Sequence, residues 1–119
     1  MDKVLTEFTK ALISLEKALL EPKSDIVRDA TIHRFEFCVE LAWKSAKRLM
    51  GTATSAPKSV IREMAQNQLI EHIDFWLKAI DQRNLSSHTY KEELAELVYQ
   101  FAGQFLPEAK ALLQRLEKL

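Results

Sequence analysis

Glycine and proline are scarce, two and three residues in a chain of 119. Hairpin turns draw heavily on both, so a sheet protein built from tight turns is excluded and helices are expected. The chain has a single cysteine, Cys38. It has no partner for an intramolecular disulfide and no second thiol for a zinc site, which points to a reducing compartment, the cytoplasm. Net charge is absent too, with seventeen basic side chains against seventeen acidic ones. Contact with a polyanion must then come from a local cluster and not from the field of the whole molecule. No apolar run approaches the ~18 residues of a membrane span, and Asp2, Lys3 and Glu7 interrupt the start of the chain, so neither membrane insertion nor secretion is expected. A glycine-rich phosphate loop is missing as well.

What is present is apolar material at helical spacing. Apolar residues make up 47% of the chain, enough for a core that needs no disulfide or structural metal. Val4, Leu5, Phe8, Ala11, Leu12, Leu15, Ala18 and Leu19 recur at steps of three and four, one stripe of a helix ending before Pro22. Ser24 or Asp25 is expected to cap a second helix from about Ile26 to Met50, closed by Gly51. Its apolar residues, Phe35, Phe37, Cys38, Val39, Leu41, Ala42, Trp43, Ala46, Leu49 and Met50, surround most of the axis. His33, Glu36, Glu40, Lys44 and Lys47 form one narrow polar stripe. Such a helix is central or carries a subunit interface.

Pro57 suits the first turn of a short helix through about Asn67, and a fourth helix is expected from about His72 to Arg83 or Asn84. Thr89 and Glu92 read as a Thr-x-x-Glu capping box, which would start a fifth helix close to Tyr90 and leave Leu85 to Thr89 as a tight connection. Beyond it Leu94, Val98, Phe101, Phe105, Ala109, Leu112 and Leu116 hold one helical phase through Gly103 and Pro107, with a kink expected at the proline. The fold class is all-α.

The segment Arg83-Asn84-Leu85-Ser86-Ser87-His88-Thr89-Tyr90 falls at the junction of the fourth and fifth helices. On an unbroken helix Arg83 and His88 would stand roughly 140° apart at about 3.6 residues per turn, but a turn between them can bring both side chains to one surface. A guanidinium is a permanently charged fork suited to phosphate oxygens, and an imidazole can exchange a proton with a ribose hydroxyl. The pair suits phosphodiester chemistry without a metal or cofactor: Arg83 on the phosphate and the charge of the transition state, His88 as general base or acid. In the plainer reading, Arg83 pairs with a surface carboxylate such as Asp81 and His88 packs in a turn.

Other constellations are weaker. His33, His72 and His88 share no metal spacing, and Glu-x-x-His does not occur. Trp43 and Trp76 suit a core or a dimer contact better than base stacking, and Cys38, beside Phe37 and Leu41, reads as a buried hydrophobe.

Arg-Asn-x-x-x-His-Thr-Tyr resembles the Arg-x4-His motif of the HEPN superfamily, in the Arg-x4-His-x-Tyr form of HepT-like toxins. Upstream, Arg34-Phe35-Glu36-Phe37-Cys38-Val39-Glu40-Leu41-Ala42-Trp43-Lys44 is similar to the second helix of nucleotidyltransferase substrate-binding proteins. Pro57 through Glu63, and then Trp76, follow in the expected order, so the resemblance spans essentially residues 1–119 as one HEPN-like helical domain. It implies an antiparallel up-and-down bundle of four to five helices. It implies a homodimer with two Arg-His motifs facing a shared cleft, and a minimal nucleotidyltransferase as partner in a hetero-oligomer. For HepT-like members it implies a metal-independent endoribonuclease toxin acting on RNA, silenced when the partner transfers AMP to the motif tyrosine. On this chain Arg83 and His88 would be catalytic, Asn84 a supporting polar group and Tyr90 the AMP acceptor. The alternative is a non-catalytic subunit that presents substrate to the nucleotidyltransferase. No Gly-x-Ser carboxylate pattern of a nucleotidyltransferase is present in this chain itself. Glu36 and Glu40 would either repel an RNA backbone near the cleft or orient Arg83 or His88, and as a plain surface stripe they would form spaced ion pairs with Lys44 and Lys47.

Overall fold

A computed structural model describes residues 2–119. Five α-helices follow in order: α1 Lys3–Leu20, α2 Asp25–Met50, α3 Pro57–Gln66, α4 Ile73–Leu85 and α5 Glu92–Glu117, with a 3-10 turn, Ser86–His88, between the last two. The caps account for most of the boundaries. Asp2 Oδ1 accepts from the Val4 amide at 2.9 Å to start α1. Ser24 Oγ accepts from the Val27 amide at 3.1 Å to start α2. Gly51 ends α2 at φ +69°, the left-handed conformation that a side chain would strain, and its amide returns to the Lys47 and Arg48 carbonyls. Pro57 opens α3 where a missing N–H costs nothing.

Four long helices alternate in direction. Arg34 reaches Ser14 and Arg48 reaches Asp2, so α1 and α2 are antiparallel. His72 meets Glu108 and Phe75 stacks on Phe101, so α4 and α5 are antiparallel as well. The short α3 fits between α2 and α4 in chain order and packs on both. The two 26-residue helices, α2 and α5, lie side by side at the centre. At a rise of about 1.5 Å per residue each is ~39 Å long, which matches the 39 Å long dimension of the molecule. α1 covers this central pair on one side, and α3 and α4 cover it on the other.

The core is built around Phe105, whose ring meets Phe35 at 5.3 Å and Trp76 at 5.2 Å, both edge-on. Edge-to-face pairs of this kind add about 0.5–1.5 kcal/mol to area burial. Trp43 and Trp76 are both buried, which leaves neither ring free to stack on a base. Cys38 is fully buried, and burial pushes its thiol up to about 12, so it is a packing group and not a nucleophile.

The second helix is central, as its nearly all-round apolar pattern predicts, in contact with every other helix, and it leaves Phe37 54% exposed. One local expectation needs correction. The Thr89–Glu92 capping box does not form. α5 begins at Glu92 behind Lys91, with no side-chain cap, because the Thr89 hydroxyl turns back to the Ser86 carbonyl at 3.2 Å. Downstream, α5 runs as one helix across Pro107. Pro107 and Gly103, whose carbonyl loses its helical donor to the proline, are both exposed, so water can satisfy that oxygen.

Candidate functional site

The junction between α4 and α5 is shaped by three hydroxyls. Ser86 Oγ donates to the Arg83 carbonyl at 2.5 Å, Ser87 Oγ to the Asn84 carbonyl at 3.0 Å, and Thr89 Oγ1 to the Ser86 carbonyl. Each reaches three residues back, the spacing of a 3-10 turn. The first two satisfy carbonyls in the last turn of α4 and the third satisfies one in the turn itself, together drawing the chain out of α-helical register. Ser86 is buried and anchors the turn, whereas Ser87, His88 and Tyr90 stand on its outside.

Arg83 is in the last turn of α4 with its side chain about one-third exposed. Its partner is not Asp81, which pairs with Lys58 at 2.7 Å. The Arg83 Nε instead donates to Glu40 Oε1 on α2 at 3.2 Å. Glu40 also faces Lys44 Nζ at 3.4 Å from its other oxygen. One carboxylate thus sits between two cations and uses one edge of the guanidinium, while the Nη atoms of Arg83 make no hydrogen bond among the described residues. A fork held by Nε alone still presents an edge to a phosphate.

His88 is exposed, and its ring makes no hydrogen bond among the described residues; the Tyr90 ring is 6.1 Å away, edge-on. Tyr90 is 77% exposed, so its phenol is open to solvent. Asn84 is exposed too, and it is the backbone carbonyl that is engaged, not the amide side chain. The structure therefore brings His88 and Tyr90 together on the turn and joins Arg83 to Glu40 and Lys44, with no direct bond between Arg83 and His88. The other histidines lie apart: His33 packs edge-on against Phe37, and His72 bonds to Glu108. Glu36 makes no ion pair among the described residues, so of the two carboxylates on the polar stripe it is Glu40 that serves the motif.

A group that sequence reasoning passed over lies two residues beyond Tyr90. Arg28, on the inner side of α2 with its side chain only 6% exposed, binds Glu92 at 2.8 Å and Glu96 at 3.2 Å, and Asp29 at 3.1 Å through Nε. Lys23 adds a 2.5 Å bond to Glu96. The bonds to Glu92 and then Glu96 raise the Arg28 guanidinium further above its already high value, and Lys23 first and Arg28 second hold the Glu96 carboxyl below the usual glutamate range. This cluster ties the first two turns of α5 to α2, and so fixes where the exposed turn carrying His88 and Tyr90 ends. The sequence signal was its register: Arg28, Thr31, Ile32 and Phe35 share the buried face of α2.

Three kinds of likeness place the chain as a whole. The family model for "Nucleotidyltransferase substrate binding protein like" matches residues 3–118. The chain is 34% identical over 102 residues to a Haemophilus influenzae protein named "Probable ribonuclease HepT", covering 79% of this chain and 70% of that one. Among solved structures, a Thermus thermophilus protein superposes with a TM-score of 0.85 at 33% identity, over 92% of this chain and 98% of that one. A solved Haemophilus influenzae structure, described as the fold of a substrate binding domain of a nucleotidyltransferase, gives 0.84 at 31% identity, over 95% and 98%. With the helical bundle and nearly the full length in agreement, the chain belongs to the nucleotidyltransferase substrate binding protein-like family and is HepT-like within it.

Proposed function

We propose that the protein is a metal-independent endoribonuclease of HEPN type, the toxin half of a toxin–antitoxin pair, silenced when a minimal nucleotidyltransferase transfers AMP to Tyr90. The observation that carries the reading is the division of labour at the junction. Arg83 is oriented through Nε by Glu40 with its other edge free, beside a turn that holds His88 and Tyr90 out to solvent. Likeness to a protein named as a probable ribonuclease supports it.

In the proposed reaction Arg83 binds a non-bridging phosphate oxygen and offsets the charge that builds in the transition state. His88 takes the proton of the ribose 2′ hydroxyl, whose oxygen attacks the adjacent phosphorus; the bond from phosphorus to the 5′ oxygen breaks, and that oxygen is protonated by the imidazolium of a second copy. The second copy is part of the proposal. The outward side of α2 lies between α1 and α4 and carries His33, Phe37 and Leu41 next to Glu40 and Arg83. An exposed phenylalanine on the central helix, beside the motif, suits a homodimer whose two motifs share a cleft. Asn84 supports from the rim. An AMP group on Tyr90, one ring away from His88, would block the cleft and add charge that repels RNA.

The test is incubation of the purified protein, confirmed by intact mass to be unmodified at Tyr90, with total tRNA and a structured messenger in EDTA, beside His88→Ala. Cleavage by the wild type alone is the expected result. Absence of cleavage would favour the second reading, a non-catalytic subunit presenting substrate to the nucleotidyltransferase, which the likeness to a solved substrate binding domain supports. Motif variants would then change nucleotide transfer by the partner instead.

A further inference from the structure

Charge along this neutral chain is unevenly placed. Between Glu40 and Glu63 there is no acidic residue, while Lys44, Lys47, Arg48, Lys58 and Arg62 all fall in that interval. Three of these cations converge. Lys44, Lys47 and Arg48 line a surface concavity of about 350 Å³ with Gly51 and Thr52 at the C-terminal end of α2. Their carboxylate partners do not fill it. Lys44 is drawn back toward Glu40, Arg48 turns one side to Asp2, and Lys47 makes no ion pair among the described residues.

The concavity lies along the same face of α2 as the residue that anchors the motif. Glu40, Lys44 and Lys47 are four and three residues apart on one helix, hence on one face, and Glu40 is the anchor of Arg83. Seven residues at about 1.5 Å each put Lys47 ~10 Å along the axis from that anchor, the rise of roughly three stacked nucleotides at about 3.4 Å per phosphate. The plainer role for these cations is to face the carbonyl end of α2. That end carries only about half a negative charge, and with Glu40 and Asp2 offsetting Lys44 and Arg48 it is the charge of Lys47 that is left for an outside anion.

We infer that Lys44 and Lys47, with the concavity ending at Gly51 and Thr52, form a phosphate track that holds the RNA strand two to three nucleotides away from the bond cut at Arg83 and His88. This rests on the ribonuclease reading above and adds to it a subsite that sets the length of strand the protein needs. Lys47 is its clearest member because no carboxylate competes for it.

The experiment uses the full chain in the non-cleaving His88→Ala background, titrated against a labelled single-stranded RNA of about ten nucleotides across a salt series. Adding Lys47→Gln is expected to make the slope of log K against log salt shallower by about 0.7 and to weaken binding about fivefold at 0.1 M salt, the effect of one lost phosphate contact. Lys110→Gln, which removes the same charge from a residue paired with Glu16 on α1, is expected to change neither. Unchanged slope and affinity on Lys47→Gln, in a protein that does bind RNA, would overturn the track and leave the ribonuclease reading standing. If the His88→Ala protein binds no RNA and the wild type cuts none, the ribonuclease reading fails and the track with it.

Discussion

Arg83 and Glu40 come from helices that follow one another only after a 22-residue excursion through α3, yet their side chains meet at 3.2 Å on the outward side of α2. On the ribonuclease reading Glu40 is a positioning residue: it holds the guanidinium by one edge and would leave the other aimed at a phosphate. Glu40→Ala is expected to lower kcat for RNA cleavage about tenfold, the equivalent of ~1.4 kcal/mol, and to lower KM because a charge that repels RNA is gone. Glu40→Gln keeps an acceptor for Nε and is expected to retain most of kcat. Equal loss in both variants would show that the charge, and not the orientation, is what matters.

Tyr90 is exposed and takes no part in the core. Tyr90→Phe is expected to leave the melting temperature within about 2–3 °C, since surface substitutions fall within about ±0.5 kcal/mol. It is also expected to abolish the gain of AMP mass on incubation with the cognate nucleotidyltransferase and ATP. A variant that is still modified would move the acceptor to another side chain.

The homodimer reading makes Phe37 its contact. Phe37→Glu places a charge where an apolar ring would be covered, and is expected to convert a dimer into a monomer at micromolar concentration by light scattering while the helical circular dichroism is unchanged. A wild-type monomer at that concentration would contradict the shared cleft.

The Arg28 cluster gives a pH prediction. Lys23 and then Arg28 hold the Glu96 carboxyl below its ordinary value of 4.5. In the unfolded chain it returns to that value, so the unfolded state takes up the proton first as the pH falls. The stabilisation is therefore complete above about pH 4.5 and is lost as the pH falls through the lower folded-state value. In a Lys23→Met and Arg28→Met double variant the urea midpoint is expected to fall less steeply with acid in that range than in the wild type. Parallel curves would mean that Glu96 is not held by these two cations.

Most of the fold was legible because local signals agreed with tertiary packing. The stripe from Leu5 to Ala18, the Ser24 cap, Gly51 and Pro57 each mark a feature that the structure contains. The start of α5 was misread, because the hydroxyl of Thr89 has two local options and the turn built by Ser86 and Ser87 leaves it facing backward. Arg28 was missed because a charged side chain is ordinarily read as solvated, and its partners, Glu92 and Glu96, lie on a distant segment. The choice between Glu36 and Glu40 could not be made from spacing, since both sit on one stripe a turn apart. Only the placement of the last turn of α4 against α2 selects Glu40. Asp81, two residues away in sequence and of the right charge, is instead taken by Lys58 of α3.

The most direct test of the central claim is the chemistry of the cut ends. In EDTA, wild-type protein acting on a defined RNA is expected to leave a 2′,3′-cyclic phosphate on one fragment and a 5′ hydroxyl on the other, the outcome of attack by the neighbouring ribose oxygen. His88→Ala and Arg83→Ala are each expected to reduce the yield at least about a hundredfold, the lower end of what a positioned acid–base group contributes. Fragments ending in a 3′ hydroxyl and a 5′ phosphate, or cleavage that persists in both variants, would contradict an Arg83 and His88 centre.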